Sequence, residues 1–150
     1  GSLRYQTGRP FTVFSGANTL SSVFQSTAQC NGCTPDDGRV FTDPASGLTY
    51  YFDEAVRNKF VATPAGSIGN TGRNAFRAAA TWGLDASIQK RIAVTEDGRM
   101  NFEVRADMTN LTNTPQWDIP AAVRTSGTFG LLRTPLDVAR KIQLGAKFNF

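Results

Sequence analysis

Apolar and polar residues alternate along the last eleven residues of the chain, RKIQLGAKFNF. The apolar members share one parity and are Ile142, Leu144, Ala146, Phe148 and Phe150. Because successive side chains of a strand point to opposite faces, the pattern predicts a β-strand with one apolar and one polar face over 140–150. At about 3.3 Å per residue and a tilt of about 45°, such a strand covers about 25 Å, which is enough to cross a bilayer. A terminal strand of a soluble β-sandwich would alternate in the same way, so this segment alone leaves both interpretations open.

Three earlier segments also alternate and predict strands over 2–14, 82–94 and 100–111. Between the strands, residues 15–81 and 112–139 lose the alternation and are rich in Ser, Thr, Asn, Gly and Pro, which predicts two long loops. Both long loops therefore leave the predicted sheet at the same end, and a short turn connects the strands at the other end. Transmembrane β-barrels have this asymmetry, with long extracellular loops and short periplasmic turns, whereas a sandwich has no reason to sort its loops by length.

The short turn between the second and third strands has a predictable length. Keeping both apolar faces on one side of the sheet requires a loop of three or five residues. The shorter loop places Asp85 opposite Asp107, whereas the longer loop, over 95–99, places Arg91 opposite Glu103. Because directly opposed like charges are destabilising, the sequence predicts the longer loop and an Arg91–Glu103 pair on the polar face.

Two small elements are predicted inside the first long loop. Residues 39–42 and 48–52 flank the turn sequence Asp-Pro-Ala-Ser-Gly and predict a short hairpin. Residues 53–60 predict a short helix. Long loops of this kind often carry binding sites, because a rigid scaffold holds them at its surface.

The composition is that of an all-β protein. Gly and Phe are abundant, and no segment approaches the roughly 18 consecutive apolar residues of a transmembrane helix. The net charge is +4, but Lys and Arg are scattered along the chain, so no nucleic-acid partner is expected. No amino-terminal signal sequence is recognisable, and for an exported barrel we expect the chain to begin midway through the protein.

The candidates for special chemistry are Cys30 and Cys33, in the sequence CNGC. A thioredoxin-like role would need a βαβ context and a zinc site would need two more ligands, but the chain has no other cysteine and no histidine. The pair is therefore predicted to be a structural disulfide that staples an outer loop in an oxidising compartment. Because histidine, the usual general base, is missing, we expect no catalytic site and no enzyme activity. We also expect no cofactor and no bound metal.

Several segments together resemble one family. Residues 68–77, IGNTGRNAFR, followed by WGLDASI over 82–88, resemble the Gly-Asn-x-Gly-Arg-Asn approach to a strand in Oar-like TonB-dependent outer-membrane receptors. Residues 102–115, FEVRADMTNLTNTP, resemble that family's Phe-x-x-Arg-x-Asp/Glu strand and its Asn-Leu-x-Asn-x-Pro exit. The early segment TGRPFTV and the final segment RKIQLGAKFNF also match that family in their position along the chain. Residues 78–80 are alanines where the family has a Gly-Pro step, so the resemblance does not extend to the backbone there.

The resemblance implies that residues 1–150 are the carboxyl-terminal segment of a barrel of about 22 strands. This segment would supply the last four antiparallel transmembrane strands, with extracellular loops over 15–81 and 112–139. The implied function is import of a bulky solute of the siderophore, cofactor, glycan or peptide class. A TonB-type energy transducer would drive import through an amino-terminal plug that this sequence lacks.

The resemblance also implies partners for the two faces of the sheet in the cell outer membrane. The apolar face would contact outer-membrane lipid, and the Arg91–Glu103 pair would face the lumen. In that family the terminal strand is the signal that the barrel-assembly machinery reads, and the residues that carry it here are Ile142, Leu144, Phe148 and Phe150.

Two alternatives remain open. The chain could belong to a passive or adhesive outer-membrane barrel without energy coupling. It could also be a soluble β-rich binding module, for example a lectin-like one, whose Phe-rich faces form a core. A soluble module would need its edge strands covered or paired, and the sequence offers no such device.

Overall fold

The computed structural model of the protein describes residues 1–20, 24–96, 99–133 and 139–150. These residues are almost entirely strand and irregular backbone, which confirms the all-β fold class. In chain order, the elements are β1 (Ser2–Gln6), β2 (Pro10–Phe11), β3 (Gln29–Cys30), a 3₁₀ helix (Pro35–Asp37), β4 (Phe41–Thr42), β5 (Thr49–Tyr50), α1 (Glu54–Lys59), β6 (Phe60–Val61), β7 (Phe76–Arg77), β8 (Thr81–Ala93), β9 (Asn101–Thr109) and β10 (Lys141–Asn149).

The chain folds into two compact units. Unit 1 consists of Gly1–Gln6, Trp82–Pro115 and Asp137–Phe150. Unit 2 consists of Thr7–Thr81 and Gln116–Leu136. The division follows the sequence pattern, because unit 1 contains the long alternating segments and unit 2 contains most of the segments that lack alternation.

Unit 1 is built on a sheet whose strand order, within the described residues, is β1-β8-β9-β10. The β8–β9 pair is antiparallel and places Arg91 opposite Glu103, so the connecting loop has the five-residue length that the charges predicted. The ladder continues beyond the strand ends, where the Val94 amide donates to the Met100 carbonyl at 2.8 Å. Opposed charges thus identified the correct register out of the two that the apolar pattern allowed.

The register brings the apolar residues of three strands onto one face of the sheet. Ile92, Phe102 and Phe148 form one row across β8, β9 and β10. Two further rows are Ile88–Ala106–Leu144 and Ala86–Met108–Ile142. Residues of the other parity form a polar face, so the sheet has the two chemically opposite sides that the alternation predicted.

The first strand is shorter than the predicted segment 2–14. β1 ends at Gln6, and the chain then enters unit 2. Gly8 lies so close to the Ala78 carbonyl that a Cβ atom at this position would overlap with it. Phe11, in β2, pairs with β7 and is 4% exposed. Burial of this ring in a separate core therefore outweighs the alternation that suggested one long strand.

Unit 2 shows that the segments between the strands are not structureless. Phe52 is completely buried, and its ring centroid lies 5.4 Å from that of Phe76, 5.5 Å from that of Phe60 and 5.7 Å from that of Phe129. The buried cluster also contains Phe11, Val13, Ala28, Cys30, Tyr51, Val56, Ala78 and Leu132. Residues from both long inter-strand segments thus share one aromatic core, which the loss of alternation did not reveal.

The hairpin and the short helix predicted inside this region are confirmed. β4 and β5 pair Phe41 with Tyr50. Helix α1 begins after Asp53, whose side chain accepts a hydrogen bond from the Val56 amide at 2.8 Å, as an N-cap residue does. Among the described residues, no helix combines the length and the apolar composition needed to cross a bilayer.

Candidate functional site

An open groove of about 790 Å³ lies on the surface of unit 2. Four large apolar side chains line it: Phe14, Leu20, Phe24 and Ile68. Arg73 and several uncharged polar residues complete the lining. This volume and a lining surface that is mostly apolar are typical of sites that bind small molecules.

Hydrogen bonds between segments far apart in sequence hold the walls of the groove. The Thr19 hydroxyl donates to the Ser67 carbonyl at 2.6 Å, and the Thr27 hydroxyl donates to the Gly69 carbonyl at 3.0 Å. Each bond joins the side of the groove that includes residues 12–20 and 24–27 to the 67–73 side. The groove is therefore formed before any ligand arrives, which lowers the entropy cost of binding.

The Gly-Asn-Thr-Gly sequence at 69–72 fixes β3 through side-chain hydrogen bonds. The Cys30 amide donates to Asn70 Oδ1 at 2.7 Å, and Asn70 Nδ2 donates to the Cys30 carbonyl at 2.7 Å. The Thr71 hydroxyl donates to the Ala28 carbonyl at 2.6 Å. A Cβ atom at position 69 would overlap with the same Ala28 carbonyl, so only glycine fits there. The segment that sequence reasoning interpreted as an approach to a strand thus also builds one wall of the groove.

Cys30 and Cys33 form a disulfide. Cys30 is 2% exposed and belongs to the core of unit 2, so the bridge is anchored in the packed part of the unit. This is the position expected of a structural staple. Within the described ranges, no group of three or more His, Cys, Asp or Glu side chains is placed to hold a metal ion.

The 3₁₀ helix that follows the disulfide is stabilised by Asp37. The Thr34 amide donates to Asp37 Oδ2 at 2.9 Å, and Lys59 Nζ lies 3.2 Å from the same oxygen. The hydrogen bond from the Thr34 amide is the main cause that lowers the pKa of Asp37 below its ordinary value, and Lys59 adds to the effect. This carboxylate therefore stabilises the folded loop only while it is ionised.

The polar face of unit 1 carries the predicted charge pair. Arg91 Nη2 lies 3.3 Å from Glu103 Oε2, and Lys147 of β10 lies opposite Glu103 on its other side. Arg105 and Asp107 form a second pair, with Nε 2.7 Å from Oδ2. Glu103 thus lies between two cations, Arg91 and Lys147, in one row of the sheet. That this row faces a lumen stays a prediction.

The predicted assembly-signal residues lie on the apolar face at the end of the chain. Ile142, Leu144 and Phe148 are exposed members of β10, and Phe150 follows the strand. The Phe148 and Phe150 rings stack with their centroids 6.1 Å apart. A strand with an exposed apolar face and a charged opposite face is typical of strands between lipid and a polar interior. The role of these residues in assembly stays a prediction.

Sequence reasoning missed the groove. Its four large apolar residues, Phe14, Leu20, Phe24 and Ile68, stand among polar residues with no common period, so no pattern connects them. The available signal was the repeated occurrence of single large apolar residues in segments otherwise rich in Ser, Thr and Gly. Only the folded chain brings them together around one cavity.

Comparison with known families agrees with the two-faced sheet. The model of an outer membrane beta barrel domain matches residues 1–143, which include parts of both units. No curated protein and no solved structure gives a significant match. With nearly its whole length matched, the chain belongs to the outer membrane beta barrel domain family, and its place is the cell outer membrane.

Proposed function

We propose that this chain is the carboxyl-terminal part of an Oar-like TonB-dependent receptor that imports a bulky solute, and that unit 2 helps to capture that solute. The motifs at 68–77 and 102–115, which resemble this class of receptor, support the energised form of the proposal. A TonB-type transducer would act through a plug in another part of the protein, and import would need no catalysis by this chain.

The observation that carries the proposal is the folded state of unit 2. Ordering a chain segment costs about 1–2 kcal/mol of conformational free energy per residue, so a mere spacer between strands has no reason to be ordered. Unit 2 instead has an aromatic core centred on Phe52, and its groove walls are joined by hydrogen bonds. A rigid concave surface is what capture of a solute requires.

The two faces of unit 1 suggest the remaining partners. The apolar rows that include Ile92, Phe102 and Phe148 would contact outer-membrane lipid. The barrel-assembly machinery would bind the terminal strand during insertion. We assign no nucleic-acid partner, because Arg91 pairs with Glu103 and Arg105 pairs with Asp107 on the polar face of the sheet.

A passive or adhesive barrel is the second candidate, because a folded unit between strands would also suit adhesion to a surface. The soluble binding module, by contrast, disagrees with the outer-membrane location.

An experiment with the full-length protein from its source organism, reconstituted in liposomes, distinguishes energised import from passive diffusion. We expect liposomes with the intact protein to exclude small sugars, and liposomes with a plug-deleted variant to admit them. We also expect an immobilised carboxyl-terminal domain of the transducer to retain the intact protein and not the plug-deleted variant. Rapid sugar entry through the intact protein, without retention by the transducer domain, would overturn the energised proposal in favour of the passive barrel.

A further inference from the structure

We propose that the groove of unit 2 binds an amphipathic organic anion, whose apolar body covers the apolar lining and whose carboxylate, phosphate or sulfonate pairs with Arg73. The inference rests on the proposed function, because it names the class of solute that unit 2 would capture. It follows from three properties of the groove: its exposed apolar side chains, the one charged side chain among its described lining residues, and its size.

The apolar side chains of the groove are exposed to an unusual degree. Phe24 is 74% exposed, Ile68 61% and Leu20 59%. Large apolar side chains that are gathered around one concave surface form a patch that water solvates poorly, and such patches mark binding sites. The groove therefore selects a ligand with an apolar or aromatic body.

The charge of the groove has one sign. Arg73 is the charged residue among the described residues that line it, and the rest of that lining is apolar or uncharged. A guanidinium offers several N–H donors in a planar fork that fits the oxygens of a carboxylate, phosphate or sulfonate. The ligand is therefore expected to carry a negative charge at the end that lies nearest to Arg73.

Arg73 is the main group that can orient a ligand in the groove, because the structure already engages several of the uncharged polar groups in hydrogen bonds. The Asn70 amide is already bound to the main chain of Cys30, and the Thr12 hydroxyl already accepts a hydrogen bond from the Asn74 amide at 2.9 Å. Among the described lining residues, the Thr27 and Thr71 hydroxyls also donate to main-chain carbonyls, so few side-chain groups are left for the many hydroxyls of a glycan. A volume of about 790 Å³ suits a compact organic molecule with one anionic group.

Two fluorescent probes that share the dansyl group test the inference: dansylglycine, which carries a carboxylate, and dansylamide, which is neutral. The full-length protein in nanodiscs is titrated with each probe, and the signal from empty nanodiscs is subtracted. Wild-type protein is expected to bind dansylglycine saturably and more tightly than dansylamide. Substitution Arg73→Gln is expected to weaken dansylglycine binding about tenfold or more, to leave dansylamide binding unchanged, and to be rescued in part by Arg73→Lys.

Variants of the apolar lining and matched controls complete the experiment. Ile68→Ser is expected to weaken both probes severalfold, because it removes apolar contact area. Arg133→Gln and Leu48→Ser change an exposed cation and an exposed apolar residue of unit 2 outside the groove, and neither is expected to change binding. All four positions are at the surface, and resistance to proteinase K, which does not depend on arginine sites, verifies that each variant is folded.

Three results would overturn the inference: no saturable binding of dansylglycine, equal affinity for the two probes, or the same loss in Arg133→Gln as in Arg73→Gln. The test is separate from that of the proposed function. A protein that is retained by the transducer domain but binds neither probe remains a receptor and loses only this solute class. A protein that binds dansylglycine but lets sugars pass freely keeps the groove and loses the energised transport.

Discussion

Asn70 satisfies both main-chain groups of Cys30, a residue 40 positions earlier in the chain, through two hydrogen bonds of 2.7 Å. Cys30 is 2% exposed, whereas Asn70 itself is exposed. One amide side chain thus connects the segment that builds a groove wall to the disulfide and the core of unit 2.

Replacing Asn70 by alanine is expected to destabilise unit 2 by about 1–3 kcal/mol, because two part-buried hydrogen bonds to the main chain of Cys30 are lost. Asn70→Asp is expected to be similarly harmful, since it keeps an acceptor for the Cys30 amide but places a carboxylate oxygen against the Cys30 carbonyl. The rate of trypsin cleavage of the full-length protein in outer membranes measures the effect. Asn58→Ala, at an exposed position of α1, is the control, and equal cleavage of the Asn70 and Asn58 variants would contradict the prediction.

Phe52→Ala is expected to lower the free energy of unfolding of unit 2 by about 3–5 kcal/mol. The substitution removes a completely buried ring that contacts Phe60, Phe76 and Phe129. Phe24→Ala removes the same number of atoms from a ring that is 74% exposed and is expected to cost far less. Protease sensitivity measures the stability of unit 2. The heat-modifiable migration of the full-length barrel in detergent gels measures the stability of the strands. Loss of both signals in Phe52→Ala would show that unit 2 does not have a separate core.

Glu103→Lys is expected to lower the stability of the sheet by about 0.5–1 kcal/mol, because it places a third cation between Arg91 and Lys147. Adding Arg91→Glu to this variant opposes unlike charges again and is expected to recover part of the loss. The temperature at which the full-length barrel loses its compact migration in detergent gels measures each step, with Glu103→Gln as the neutral reference. A double variant that is no more stable than Glu103→Lys alone would argue against the register.

Acid is expected to loosen the loop that contains Asp37. The folded pKa of this carboxyl lies below its ordinary value, so its stabilising contribution is complete above about pH 4 and is lost as the pH falls through the folded pKa. Pepsin cleavage of the full-length protein in outer membranes, measured from about pH 4 down to about pH 2, follows this loss.

Two variants separate the causes of the pH dependence. Asp37→Asn is expected to remove it, whereas Lys59→Gln is expected to reduce it only in part, because the Thr34 amide bond is the larger cause. An unchanged pH dependence in Asp37→Asn would assign the effect to another group.

Strands β8, β9 and β10 could be predicted from the sequence because their information is local. Side chains at every second position share a face, so alternation alone identifies the strands and their apolar side. The opposed charges of Arg91 and Glu103 then selected one register out of two, since electrostatics between directly paired residues depends only on that register. The β4–β5 hairpin was predictable for the same reason, through its turn residues.

The sequence by itself therefore determined the two-faced sheet, the register of the β8–β9 pair and the all-β character of the chain. Only the tertiary structure decided that β1 ends at Gln6, that Phe11, Phe52 and Phe129 share a core, and that Phe24 and Ile68 line one groove. The physical reason is that burial of a side chain depends on which distant segments meet, and residues that meet through a folded chain need not share any period in the sequence. The same reason explains why the groove, the part of the molecule proposed to bind the solute, left so little trace in the pattern of apolar and polar residues.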